Sequence, residues 1–287
     1  MPMATHLDRP LAAYILGTKS RYRGDHLERE LRESNIKYEN VWGQDCQSAD
    51  PSQLLSTVEM DKVHFLLNRS LTLGEICCAN GHISIYREFL KSEDDWTLIL
   101  EDDAELCSLI FPTEIIKRTI EKQPSIIQLY GLKEVLTQAG IKGPNFQIKG
   151  DGKSQLVKLH FIPELTHAYL INRRAASKLL QSVKKGVHST ADWPILGLRG
   201  VHFYSVVEPI FTTLNNQSLL EFDRKNIVPI NRLKKRHISL LVQSIGILAI
   251  IGSFKKMNLI NLQSYYFKQV RTQLCRKKLG KFLYRSV

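Results

Sequence analysis

The chain has 287 residues and sets 40 Lys and Arg against 28 Asp and Glu, a formal charge of +12. Its length suits one large domain or two small ones, and 43% hydrophobic with 24% charged residues excludes a disordered or disulfide-dependent chain. The charge is unevenly placed. Residues 224–287 hold fifteen Lys or Arg and no Asp or Glu, which leaves 25 basic against 28 acidic residues, or −3, in the first 223. A basic tail bears on where a protein sits; a basic nucleic-acid-binding protein is the alternative of a different class, which the acidic main body and the apolar stretch within the tail argue against.

The five cysteines (Cys46, Cys77, Cys78, Cys107, Cys275) are odd in number and form no C-x-x-C pair, so reduced thiols are expected rather than a disulfide framework or zinc cage. Residues 1–10 contain no apolar run and include Asp8. No cleaved secretory signal is expected there.

In chain order, 11–17 (LAAYILG) predicts a buried strand, 25–34 (DHLERELRES) a helix and 36–42 a second strand. That is the spacing of a βαβ unit, and it implies a mainly parallel, covered sheet. A helix is expected over 51–69. The next spans 74–92, where Ile76, Ala79, Ile83, Tyr86 and Leu90 recur at spacings of three and four and so share one helix face. Residues 96–100 (WTLIL) predict a short, largely apolar strand that ends in Glu101, Asp102 and Asp103. Further strands are expected over 126–130, 156–162, 168–171 and 201–207, with helices near 114–122 and 174–184. An exposed loop is expected over 140–154.

The segment W-T-L-I-L-E-D-D, 96–103, carries the chemistry. Three successive carboxylates repel one another, and burying one unpaired costs several kcal/mol. Ligands of open α/β sheets bind at the carboxyl ends of strands, where a divalent cation with a nucleotide diphosphate would neutralise such a cluster. A solvated acidic loop is the plainer alternative. Neither G-x-G-x-x-G after the first strand, G-x-x-x-x-G-K-[ST], G-x-S-x-G nor H-E-x-x-H occurs, so dehydrogenase, P-loop, serine hydrolase and zincin chemistries lose their usual support.

The ordered blocks 35–45 (NIKYENVWGQD), 73–86 (LGEICCANGHISIY), 98–104 (LILEDDA), 166–175 (THAYLINRRA) and 191–193 (ADW) resemble those of glycosyltransferase family 25, the bacterial lipooligosaccharide biosynthesis enzymes. The resemblance covers roughly residues 11–215. It departs at Gly81, where the family usually has Ser, at Cys77, where it usually has Gly, and at Gly43-Gln44-Asp45, which follows the family's turn loosely. It implies a GT-A-like α/β fold and transfer of a hexose, galactose first and glucose as the alternative, from a UDP-sugar to a growing lipooligosaccharide.

In this light Glu101, Asp102 and Asp103 resemble a D-x-D motif, with Asp103 the direct Mn²⁺ or Mg²⁺ ligand and Glu101 assisting it. His82, His167 and Arg21 join Glu101 and Asp102 as donor-binding candidates. Each has a plainer reading: His82 as a hydrogen-bonded core histidine, His167 likewise, and Arg21 with Arg23 as solvated turn residues. Asp192 is the candidate base of an inverting transfer, Trp193 beside it a sugar platform, and Glu208 and Glu221 the reserve bases. Asp192 could equally cap a helix beginning at Pro194.

In the tail, 238–251 (ISLLVQSIGILAII) would be about 21 Å long as a helix, short of a roughly 30 Å hydrocarbon core. Leu259, Leu262, Tyr266, Val270 and Leu274 then recur at helical spacing, with Lys268, Arg271 and Lys278 off that stripe. This is the pattern of an amphipathic basic helix on anionic lipid. The expectation is therefore a catalytic domain over 1–223 and a helical, membrane-associating tail over 224–287. It places the enzyme in the cytoplasm, peripheral on the inner membrane, acting on a lipid-linked acceptor and not on nucleic acid.

Overall fold

Apolar β-branched and aliphatic runs alternate with amphipathic helices through the first hundred residues, and the sheet grows from them. The computed structural model describes residues 11–67, 69–108, 123–138, 156–159, 162–190 and 193–214. Strands β1 (Ala12–Gly17), β2 (Lys37–Trp42) and β3 (Trp96–Glu101) pair in parallel in the order β2-β1-β3. Helix α1 (Asp25–Glu33) connects β1 to β2 as the βαβ spacing requires. It buries Leu27 and Leu31.

Beyond β3 the sheet continues through β7 (Ala168–Asn172), β5 (Ser125–Gln128), β8 (His202–Val206) and β6 (Leu156–Leu159). Strand β7 runs antiparallel to both β3 and β5, β8 runs parallel to β5, and β6 reverses again. Five of the seven strands thus point one way. The expected α/β class, a mainly parallel sheet flanked by helices, is the one observed. A second sheet pairs β4 (Ala104–Leu106) with β9 (Phe211–Thr213), and holds the chain leaving the acidic cluster.

The segment expected as one helix over 51–69 is two, α2 (Pro51–Ser56) and α3 (Met60–Leu67). Between them Val58 bridges to Val187, with Glu59 N–H donating to Val187 O at 2.8 Å and Val187 N–H to Thr57 O at 2.8 Å. These backbone groups cannot serve a helix at the same time.

Helix α4 (Leu73–Lys91) is the longest described. Thr72 and Glu75 form a reciprocal capping box, Thr72 Oγ1 accepting from Glu75 N–H at 3.1 Å and Glu75 Oε2 from Thr72 N–H at 3.0 Å. Glu75 is fully buried, and both its oxygens meet the Arg69 guanidinium at 2.7 Å. The burial of α4 is wider than the expected stripe, because Ile85, Phe89 and His82 are buried along with Ile76, Ala79, Ile83 and Tyr86. Gly81 explains one departure from the family pattern. A Cβ there would meet Leu16 Cδ1 of β1 at 2.6 Å, so a side chain at this position would require the Leu16 side chain to shift.

After β5 comes α5 (Leu132–Gln138), and after β7 comes α6 (Arg173–Ser182). Asn172 Oδ1 caps α6 through Ala175 N–H at 2.9 Å and also accepts from Ser125 N–H at 3.0 Å. Arg173 closes the far end of α4, donating to Leu90 O at 3.0 Å and to Ser92 O. These elements fall within one compact unit. No described helix is long and apolar enough to cross a membrane. The expectations for 114–122, 140–154, Cys275 and the tail lie outside the described residues.

Arg69→Ala would leave the Glu75 carboxylate buried without its counter-charge. The expected loss is about 3–5 kcal/mol, read as a lowered urea midpoint at neutral pH; an unchanged midpoint would show that the pair contributes nothing.

Candidate active site

Parallel pairing brings the carboxyl ends of β1 and β3 side by side, with Leu16 opposite Glu101 in the register. Because β7 is antiparallel, it enters the sheet at this same edge, with Ala168 opposite Leu100. The residues just before it, Thr166 and His167, therefore meet the acidic end of β3. Glu101 N–H donates to His167 O at 2.7 Å, and Thr166 Oγ1–H to Glu101 Oε1 at 2.9 Å. His82 reaches the same carboxylate from α4, its Nε2 3.4 Å from Oε1, and His167 Nε2 lies 3.9 Å from Oε2. Burial would raise the Glu101 carboxyl, but the charge of His167, the contact with His82 and the Thr166 hydroxyl outweigh it. Its pKa is held at about 2.

Asp102 and Asp103 share Arg23. The guanidinium donates to Asp102 Oδ1 at 2.9 Å and to Asp103 Oδ2 at 3.2 Å, and Arg23 N–H donates to Asp102 Oδ2 at 3.3 Å. One cation therefore serves two carboxylates. Burial pushes both carboxyls above their usual range against the pull of Arg23, and for Asp103 the Glu101 charge adds to the rise. Asp103 Oδ1 is buried and takes no hydrogen bond. One ligand atom each from Glu101, Asp103 and His167 lie within 4.8 Å of one another. Two carboxylates, one of them with an orphaned buried oxygen, and an imidazole suit a divalent ion of intermediate hardness, so the residues fit the metal that the sequence suggests.

A buried chain supports this edge. His82, 2% exposed, meets the Tyr169 hydroxyl through Nδ1 at 3.0 Å, and that hydroxyl lies 2.9 Å from Tyr86 Oη. Tyr130, which follows β5, places its ring edge-on to His167 at 5.8 Å.

Of the sequence candidates, Glu101, Asp102, Asp103, His82 and His167 converge. Arg21 instead points to Asp45, 4.0 Å away, and Arg23 faces the carboxylates. Asp192 and Glu221 lie outside the described residues, and Glu208 is exposed between β8 and β9. Trp193 is corrected. It is 2% exposed, its indole N–H donates to Pro163 O at 2.7 Å, and its ring packs on Tyr169 and Phe203, so it is core and not a sugar platform. After it only a three-residue 3-10 turn, Ile195–Gly197, begins, with Pro194 at its N-cap. Thr166 and Tyr169 were not singled out by the sequence; their place inside the 166–175 block was the available signal.

Carboxylates and imidazoles thus gather at the carboxyl ends of the strands, where ligands of open α/β sheets bind. The chain matches glycosyltransferase family 25 (LPS biosynthesis protein) over residues 12–193. It belongs to that family and is a glycosyltransferase. No curated protein matches it in sequence. Among solved structures it is similar to the crystal structure of the galactosyltransferase LgtC in complex with donor and acceptor sugar analogs. That likeness has a TM-score of 0.35 at 10% identity, covering 67% of this chain and 73% of that chain.

The lowered Glu101 pKa gives a pH signature. Relative to Glu101→Gln, which mimics the protonated acid, the wild-type advantage in folding stability is complete above the ordinary value of 4.5 and drains as pH falls toward about 2. Urea titrations of both proteins across that range should converge at the acid end, and a constant difference would contradict the assignment.

Proposed function

We propose that this glycosyltransferase moves a hexose, galactose in the first instance, from a UDP-sugar to a lipid-linked oligosaccharide of the lipopolysaccharide core. The observation that carries the reading is the convergence of Glu101, Asp103 and His167 on one point at the strand ends, beside Arg23. Asp103 and Glu101, joined by His167, would hold Mn²⁺ or Mg²⁺. Bound there, the cation supplies positive charge against the diphosphate leaving group.

The chain's own residues provide the rest. Asp102 fixes Arg23 through both backbone and side chain, so the guanidinium is positioned before substrate arrives. Thr166 and His82 orient Glu101. For an inverting transfer, Asp192 would take the proton of the attacking acceptor hydroxyl. Asp103→Ala should lower metal-dependent transfer at least on the order of 100-fold with the fold intact, and Asp192→Asn should keep donor binding while losing transfer. The assay is purified protein with a panel of UDP-sugars and truncated lipooligosaccharide, with and without Mn²⁺. UDP-glucose turnover in place of UDP-galactose would select the alternative donor, and full turnover by Asp103→Ala would sink the metal assignment.

The basic tail, 224–287, would hold the enzyme on the anionic cytoplasmic face of the inner membrane, where each suitably placed Lys or Arg is worth about 1 kcal/mol. The full chain should float with anionic liposomes and lose that binding when cut after residue 223. Salt-sensitive retention of DNA on filters without flotation would favour the nucleic-acid alternative instead.

A further inference from the structure

We propose that Cys78, His82 and Glu101 form a second, inner site for a soft divalent cation of the zinc class, mutually exclusive with the metal site proposed at Glu101, Asp103 and His167. Cys78 and His82 are four residues apart on α4 and so share a face. A ligand atom from each, with one from Glu101, lie within 4.8 Å of one another. His82 is 2% exposed, and its Nε2, 3.4 Å from Glu101 Oε1, is buried without a hydrogen bond. The other ring nitrogen is held by the Tyr169 hydroxyl at 3.0 Å. With Nδ1–H donating to that hydroxyl, Nε2 keeps its lone pair for a metal, the arrangement in which an outer partner orients a metal-binding histidine.

Thiolate, imidazole and carboxylate together select zinc-class ions, whereas the outer pair of carboxylates with one imidazole suits harder ones. Cys78 binds as the thiolate and releases its proton to solvent. Glu101 belongs to both groups. Glu101 faces His82 through Oε1 and His167 through Oε2, so an ion on the inner site competes for the charge of a carboxylate that the outer one needs, and zinc should oppose Mn²⁺-dependent transfer. Binding at the inner site is independent of the proposed activity; only the inhibition rests on it.

Co²⁺ serves as the probe on the full chain. Wild type should show a thiolate-to-cobalt charge-transfer band that Zn²⁺ abolishes, Cys77→Ser should keep it, and Cys78→Ser should lose it with affinity reduced on the order of 100-fold. On wild type, Zn²⁺ should also slow alkylation of Cys78, followed by peptide mass spectrometry, which keeps the test decisive if Cys78→Ser misfolds. No band in wild type, a band that survives in Cys78→Ser, or Cys78 alkylation indifferent to Zn²⁺ would overturn the site. In the transfer assay Zn²⁺ should inhibit wild type and spare Cys78→Ser, and equal inhibition would overturn the exclusion. If no UDP-sugar is turned over, the proposed function fails while the cobalt spectrum still decides the inner site.

Discussion

Three adjacent carboxylates at the end of a buried strand are an electrostatic problem, and the surrounding architecture answers it. Each compensating contact comes from a different element: the Arg23 guanidinium from the turn after β1, the His82 imidazole from α4, and the His167 imidazole with the Thr166 hydroxyl from the entry to β7. The compensation is incomplete. Asp102 and Asp103 are still pushed toward protonation, and Asp103 keeps an unsatisfied oxygen. In a folded domain such a remainder is costly unless something positive arrives. Among the described residues, the protein supplies only part of the charge that would neutralise these carboxylates.

The strands and helices nearest this edge were legible because their signals are long and periodic. The apolar 96–100 run ending in three acids and the α4 spacing translate directly into β3 and the helix that carries His82. Other features left no periodic trace. Strands β4 and β9 have three residues each, too few for alternation to register. The break between α2 and α3 depends on Val187, more than a hundred residues away, and no local pattern can report that pairing. Arg21 and Arg23 read alike in sequence; the 3-10 turn at Lys19–Arg21 sends one toward Asp45 and lets the other reach Asp102. Trp193 looked available beside an acid, yet Tyr169 and Phe203 enclose it.

The family blocks prove to be structural junctions as much as reactive groups. In 166–175, Thr166 and His167 meet Glu101, Tyr169 binds His82, Asn172 caps α6 and Arg173 closes α4. In 73–86, Glu75 anchors the start of α4, Gly81 admits Leu16, and His82 and Tyr86 reach Tyr169. A resemblance confined to such blocks therefore covers the residues that set relative positions, which is why it extends to the fold. Gly81 shows how a departure is absorbed. The volume of a serine side chain is given to Leu16 instead.

Strand β7 works as a mechanical brace. One end delivers His167 to the carboxylates, and the other ends in Asn172 and Arg173, which grip α6 and the terminus of α4. Five residues of extended chain, about 17 Å, thus join the two imidazole carriers through one stiff member, since His82 rides on the helix that Arg173 holds. The two imidazoles are thus tied to the same framework member, His167 through the residue that precedes β7 and His82 through the Tyr169 hydroxyl. A change in the tilt of α4 would therefore be felt at both ends of β7 at once.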